Sequence, residues 1–280
     1  MVFAMRIRSV GLVHGLVLAW LCVFACDGFG LQAVGQGTAA QSSAVRGKPV
    51  LVELFTSEGC SDCPPADRLL EELDKTQPIA GAHAIVLSEH VTYWDHQGWR
   101  DPFSLDEMTE RQKEYVYQFG LQDSYTPQMV VDGAAQFVGN NAQALEAAMQ
   151  TAVARPKVDL AIEKAQWENG AVEFTVHGSA DAGARLVAVL AANETHSEVA
   201  HGENAGRTLH HVAVVRVMKE FGGNTVDGRE LKIAGGSLTH KEEANGPVRL
   251  VVFLVDHKTG HVLGAAEETV TRKQGLGTRD

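Results

Sequence analysis

Two cysteines three residues apart, Cys60 and Cys63, are the residues in this sequence most ready to do chemistry. They follow an apolar run, Val50-Leu51-Val52-Glu53-Leu54-Phe55, and precede Pro64-Pro65, which opens a helical pattern. Strand, Cys-x-x-Cys and helix in that order form the layout of a thiol–disulfide redox site. Cysteines at this spacing can close a disulfide. A helix start also offers unpaired N–H groups and a partial positive charge that favour a thiolate.

Cysteine arithmetic sharpens this reading. The chain holds four cysteines, and Cys22 and Cys26 lie in or beside an N-terminal targeting pattern. Arg6 and Arg8 precede the apolar stretch Val10–Ala25, as in a secretory signal. That stretch is shorter than the ~20 residues that span a bilayer comfortably. The expectation is an exported bacterial protein, periplasmic or secreted, touching membrane only through an uncleaved signal or a lipid on Cys26. If cleavage falls beyond Cys26, Cys60 and Cys63 are the remaining thiols and pair with each other in an oxidising compartment. A static disulfide and half of a metal site stay open beside the redox reading.

The elements that must position the pair are legible. The helix after Pro64 shows one apolar face in Ala66, Leu69, Leu70 and Leu73. Ala84–Ser88 reads as a second strand, parallel to the first. Ser104-Leu105-Asp106-Glu107 reads as a capping box before another helix. Gln128–Val131 and Ala135–Val138 flank the hairpin signal Asp132-Gly133. A last helix runs from near Asn141 to Pro156. Beyond residue 157, short strand patterns alternate with turn signals. The boundaries read as residues 1–46 for signal and lead-in, 47–155 for an α/β domain, 156–272 for a β-rich domain and 273–280 for a tail. The net charge of −11 argues against a nucleic-acid partner.

The order β-α-β, helix, β-β-α around Cys-x-x-Cys resembles the thioredoxin fold. The expected fold class is an α/β thioredoxin-like domain followed by an all-β antiparallel sandwich-like domain. The resemblance implies Cys60 as nucleophile, Cys63 as resolving thiol and Pro127 as a cis-proline after Thr126, shaping a substrate groove. It also implies a buried acid, Glu53, beneath the disulfide as a proton carrier. Glu53-Leu54-Phe55-Thr56-Ser57-Glu58-Gly59-Cys60-Ser61-Asp62-Cys63-Pro64-Pro65-Ala66-Asp67 and Leu209-His210-His211-Val212-Ala213-Val214-Val215-Arg216 resemble the secreted bacterial family called domain of unknown function 1223.

Two physical expectations accompany these roles. Pro64 disfavours a helical Cys63, so the helix begins at Pro64 and Cys60 is the more exposed sulfur. Glu58 and Asp62 disfavour a thiolate at Cys60 and lean the pair toward a reducing or structural role. Parallel strands end at one sheet edge, which brings the loop after Ser88 near the cysteines. Its Trp94 and Trp99, with Thr126, are candidates for holding substrate.

The leading function is an exported thiol–disulfide oxidoreductase acting on protein or small-molecule thiols and disulfides. It needs no cofactor beyond the Cys60–Cys63 disulfide. One alternative is a copper or other metal chaperone using Cys60, Cys63, His90 and His96. Another is a non-enzymatic binding protein with a structural disulfide. His210 and His211 are adjacent and point to opposite faces of a strand, while His196 and His201 read as lying in a polar loop.

Overall fold

The computed structural model describes residues 47–179, 183–222, 226–236, 238 and 246–271. The expected leader with Cys22 and Cys26, and the tail 273–280, lie outside these residues. The first strand, β1 (Lys48–Thr56), is apolar on both faces from Pro49 to Phe55 apart from Glu53, and it is buried from Val50 onward. Helix α1 (Pro64–Thr76) returns the chain, and β2 (Ala82–His90) pairs with β1 in parallel. After α2 (Asp106–Phe119), β3 (Gln128–Val131) adds antiparallel to the other edge of β1, and β4 (Ala135–Val138) follows. Asp132 and Gly133 carry the hairpin turn with φ of 51° and 60°, both left-handed. Helix α3 (Ala142–Ala154) starts on Asn141, whose side chain accepts from the Ala144 N–H.

Helices α1 and α2 lie against opposite faces of β1. Thr56 donates to Asp67 of α1 at 2.8 Å. Phe55, one position away, packs edge-on against Tyr115 of α2. The expected capping box of α2 does not form. Ser104 Oγ donates to Asp95 and to the Asp101 carbonyl instead, and Leu105 takes the cap position without a side-chain bond.

The second half of the chain corrects the fold class. Strands β5 (Leu160–Glu168), β6 (Ala171–Gly178) and β9 (Arg229–Ala234) form a small sheet in the order β5-β6-β9. The others, β7 (Ala184–Glu198), β8 (Thr208–Phe221), β10 (Val248–Asp256) and β11 (Val262–Val270), join the first half. The result is one mixed eight-stranded sheet ordered β11-β10-β7-β8-β2-β1-β3-β4. With eleven strands and three helices among the described residues, the protein is mostly β. It is not an α/β thioredoxin-like domain followed by a separate sandwich.

The physical reason lies at β2. Its free edge accepts β8 in parallel at Ser88↔Val214, so the sheet crosses the expected boundary. Strands β7 and β10 are then buried on both faces. Val187, Val189, Val251 and Phe253 enter the core shared with α1 and α3. Leu186, Leu190, Leu250 and Val252 pack under the small sheet, against Val172, Phe174 and Ile233. Strands buried on both sides read as continuous apolar runs. Such runs carry no mark of which strand is the partner.

Candidate functional site

The site lies where β1 ends and α1 begins. Thr56 closes β1, and Ser57, Glu58 and Gly59 turn the chain, with the Cys60 N–H donating to Ser57 O at 3.1 Å. Cys60 and Cys63 form a disulfide with Cα atoms 5.5 Å apart. Cys63 is helical (φ −76°, ψ −39°) rather than extended, and its carbonyl already accepts from Ala66 and Asp67. Pro64 and Pro65 have no N–H. The helix start therefore has few free donors for a sulfur, contrary to the expectation from the helix end alone. The peptide between Thr126 and Pro127 is cis, and the Thr126 carbonyl lies 3.9 Å from Cys60 Sγ.

Both sulfurs are enclosed. Cys60 is 1% exposed and Cys63 is 0% exposed, so the expected greater exposure of Cys60 is not realised. The cover comes from the far half of the chain. Strands β7 and β8 run on beyond a register shift at Leu190/Ala191 as one long hairpin, in which Ala213 has φ of 48°. Their connection, residues 199–207, straps over the cysteine loop. Asn204 is fully buried and donates to the carbonyls of Glu58 and Cys60 at 2.8 and 2.9 Å. Arg207 orients that amide by donating to its oxygen at 2.9 Å. Glu203 accepts from the Ser61 N–H at 3.0 Å. Gly202 has φ +78°, and a Cβ there would stand 3.1 Å from the Trp99 Cβ, so glycine lets the strap close on the tryptophan.

Beneath the loop sits a buried charged cluster. Glu58 is fully buried. Its carboxylate accepts from Trp99 Nε1 at 2.8 Å and from Ser197 Oγ, and it faces His211 Nε2 at 3.3 Å. The other His211 nitrogen stands 3.8 Å from Asp67. Burial alone would lower the His211 pKa, but the two carboxylates outweigh it and push it up to about 10. His211 is therefore a cation at neutral pH and offsets the two acids. Asp101 accepts from the Glu58 N–H at 2.8 Å and contacts His90 Nδ1 at 2.7 Å. Burial raises Asp101, yet His90 and the N–H groups of Glu58 and Phe103 hold it below the usual carboxylate range.

The expected site residues divide. Trp94 donates to Thr126 Oγ1 at 2.8 Å and lies against Gly59, while Trp99 holds Glu58, so both tryptophans and Thr126 surround the cysteine loop. Glu53 is buried, but it points to the α2 face, away from Thr56 and Asp67. There Arg111 and Tyr115 hold its carboxylate. His90 belongs to β2 and is engaged by Asp101, while His96 is exposed. Among the described residues, no group of three or more His, Cys, Asp or Glu is arranged to hold a metal. Asp62 is exposed, and the acid near the disulfide is the compensated Glu58.

The sequence reading missed Asn204, Glu203, Ser197 and the inward role of His211. It took His196 as lying in a polar loop, whereas His196 pairs with His210 inside the β7–β8 ladder. The buried Thr195 between exposed Glu194 and His196 is the period-two signal that was available.

Fold and site together define a mixed β-sheet protein that encloses a Cys-x-x-Cys disulfide at a strand-to-helix turn, roofed by a hairpin from its own second half. Residues 51–255 match the family described as "Protein of unknown function (DUF1223)", and the chain belongs to that family. The crystal structure of an Agrobacterium tumefaciens protein, AGR_C_4864, is similar in fold. It has a TM-score of 0.61 at 21% identity, covering 82% of this chain and 97% of that one. HBP35 of Porphyromonas gingivalis gives 0.56 at 12% identity, covering 84% of this chain and 79% of that one. A search among curated proteins finds no match.

Proposed function

We propose that the protein is an exported thiol–disulfide exchange protein whose Cys60–Cys63 pair is gated by the 199–207 strap. One observation carries this: a closed disulfide sits at the turn into α1, against Thr126 and cis-Pro127, and its lid is held by a few hydrogen bonds from a single hairpin. In the reduced state, the Cys60 thiolate attacks a substrate disulfide. One substrate sulfur leaves as thiolate, and a mixed disulfide forms on Cys60. The Cys63 thiolate then attacks the Cys60 sulfur and releases the second substrate thiol. The substrate is reduced by two electrons and Cys60–Cys63 is oxidised. Trp94, Trp99 and Thr126 form the wall a substrate meets once the strap lifts. The charged N-terminus and apolar stretch support export.

The scarcity of N–H donors at the helix start supports a pair that is hard to reduce, working as a reductant toward its substrate. A second reading rests on the burial of both sulfurs. In it the disulfide staples the loop, and the protein acts by binding.

The test is the reduction potential of the pair together with insulin-disulfide reduction, using Cys60→Ser as the control. Exchange proposed here requires a potential above about −300 mV and turnover lost in the control. A potential below about −300 mV with no turnover, even after the strap is released by Asn204→Ala, assigns the pair to the stapling role.

A further inference from the structure

Strand β4, at one edge of the large sheet, pairs with β3 in unbroken register, and no described strand pairs with its other edge. Exposed edges offer unpaired N–H and C=O groups and are usually blunted by Lys, Pro or a bulge. β4 reads Ala135-Gln136-Phe137-Val138 and has none of these. Val138 is 50% exposed, and it and Tyr117 are the exposed large apolar side chains among the described residues. Between β4 and α3 runs a groove of about 420 Å³, lined largely by small apolar side chains such as Ala134, Ala135, Ala144, Ala147 and Ala148. Arg155, at the C-terminal end of α3, also lines it. That end lies by the start of β1, where Lys48 donates to the Val153 and Arg155 carbonyls. Asp132, whose carboxylate the Arg155 charge reaches, is already held by Lys157 at 2.6 Å. The Arg155 guanidinium therefore has no carboxylate partner among the described residues. The opposite end of β4 meets the cysteine turn, where the Gly139 N–H donates to the Pro127 carbonyl at 2.9 Å.

We infer that the free edge of β4 and its groove take up an extended segment of a partner polypeptide as an added strand. The segment's backbone pairs with β4, an apolar side chain enters the groove under α3, and a carboxylate meets Arg155. Strand addition draws affinity from main-chain hydrogen bonds and specificity from pockets for alternate side chains. Charge selects the occupant, because the uncompensated guanidinium at the groove end favours an acidic residue there. Four paired residues span about 13 Å. The added strand enters by Arg155 and leaves the sheet at Gly139, beside cis-Pro127 and the disulfide turn. The inference rests on the exchange reading for its purpose, naming an extended polypeptide as the class of substrate, while the docking itself requires no thiol.

The test is fluorescence anisotropy of a labelled, cysteine-free peptide of alternating valine and serine with a terminal glutamate, titrated with the oxidised full chain. A lysine-ended counterpart is titrated alongside. The expected result is saturable binding of the glutamate peptide, with slowed hydrogen exchange at the β4 amides. Ala147→Arg fills the groove from an exposed helix position and should weaken binding at least about ten-fold, as exclusion of one apolar side chain should. Arg155→Glu should weaken the glutamate peptide several-fold and turn the preference toward the lysine peptide. Tyr117→Ser, at the other exposed apolar position, should leave binding unchanged. Absence of saturable binding, protection confined to amides outside β4, or wild-type binding by Ala147→Arg overturns the assignment. So does a wild type that sediments as a dimer and becomes monomeric as Ala147→Arg, which gives the edge to a second copy of this chain. Peptide binding by a protein that fails to reduce insulin supports the docking site and removes only the exchange function.

Discussion

Replacing His211 with leucine isolates the energetics of the cluster under the cysteine loop. Glu58 is fully buried and Asp67 nearly so, and the cation facing both is His211, itself 2% exposed. His211→Leu keeps an apolar body of similar volume and removes the charge. Breaking a buried pair by deleting one partner costs about 3–5 kcal/mol. Linkage gives the same scale independently. A shift from 6.5 to about 10 is worth about 5 kcal/mol at 1.36 kcal/mol per pH unit. Because the folded pKa is raised, that stabilisation is complete below the unfolded value near 6.5 and disappears as pH climbs toward 10. The assay is urea unfolding of the oxidised protein from pH 6 to 10. The variant should lose about 3–5 kcal/mol at pH 6 and converge on the wild type near pH 10. Adding Glu58→Gln to His211→Leu should recover part of the loss, since one unpaired carboxylate is then neutral. A loss under about 1 kcal/mol at pH 6, or parallel pH profiles, would show that the cluster does not hold a compensated cation.

Glu89 sits fully buried on the α2 face and reaches Arg111 only at 3.5 Å. Burial, with the Glu53 carboxylate beside it, raises its pKa well above the usual range. Glu89→Gln, which mimics the protonated acid, should change stability little at about pH 4, where the carboxyl is protonated in folded and unfolded chains alike, and should be the more stable form at pH 7, because it removes the fall in stability as pH rises above 4.5. Destabilisation by several kcal/mol would mean that Glu89 is ionised. Arg111→Met leaves Glu53 buried without its cation and should cost about 3–5 kcal/mol in urea unfolding, against little loss if the ion pair is dispensable. Asn204→Ala removes two buried hydrogen bonds that hold the strap, worth about 1 kcal/mol each. Reduction of the Cys60–Cys63 pair by a small thiol should then speed up by roughly 30-fold, and an unchanged rate would remove the strap from any gating role.

Local pattern carried the first half of the molecule well. Cys60 and Cys63 at the turn into α1, the parallel β1–β2 pair and the Asp132-Gly133 hairpin all follow from periodicity and turn chemistry acting over a few residues. Placing Glu53 beneath the disulfide failed because residue type does not encode the face of a strand buried on both sides. Phe55 and Thr56 point to α2 and α1 respectively, and Glu53 shares the parity of Phe55. The roof was invisible for a different reason. Asn204 and His211 act 144 and 153 residues from Cys60 and Glu58, and a contact at that separation is set by the addition of β8 to the edge of β2. Nothing in the strand sequences names that edge as the docking partner, so the second half read as a domain closed on itself.

The joining of the two halves gives the site its character. Had β8 stayed within a separate sandwich, the cysteine turn would be open to solvent and Glu58 would be a surface acid. Docking β8 on β2 instead drives Glu58 into the interior, and a buried carboxylate must find a partner or take up a proton. The same strand supplies that partner in His211, and its hairpin supplies Ser197 and the Asn204 strap. Closure of the roof and compensation of the charge therefore arise from one sheet extension and should be lost together. If so, weakening the cluster at His211 should loosen the strap, and His211→Leu should expose the disulfide to small thiols even with Asn204 intact. Faster reduction in that variant at pH 6, with the difference shrinking toward pH 10, would tie the chemistry of the cysteines to a cation contributed by the far half of the chain. Equal rates at pH 6 would separate them.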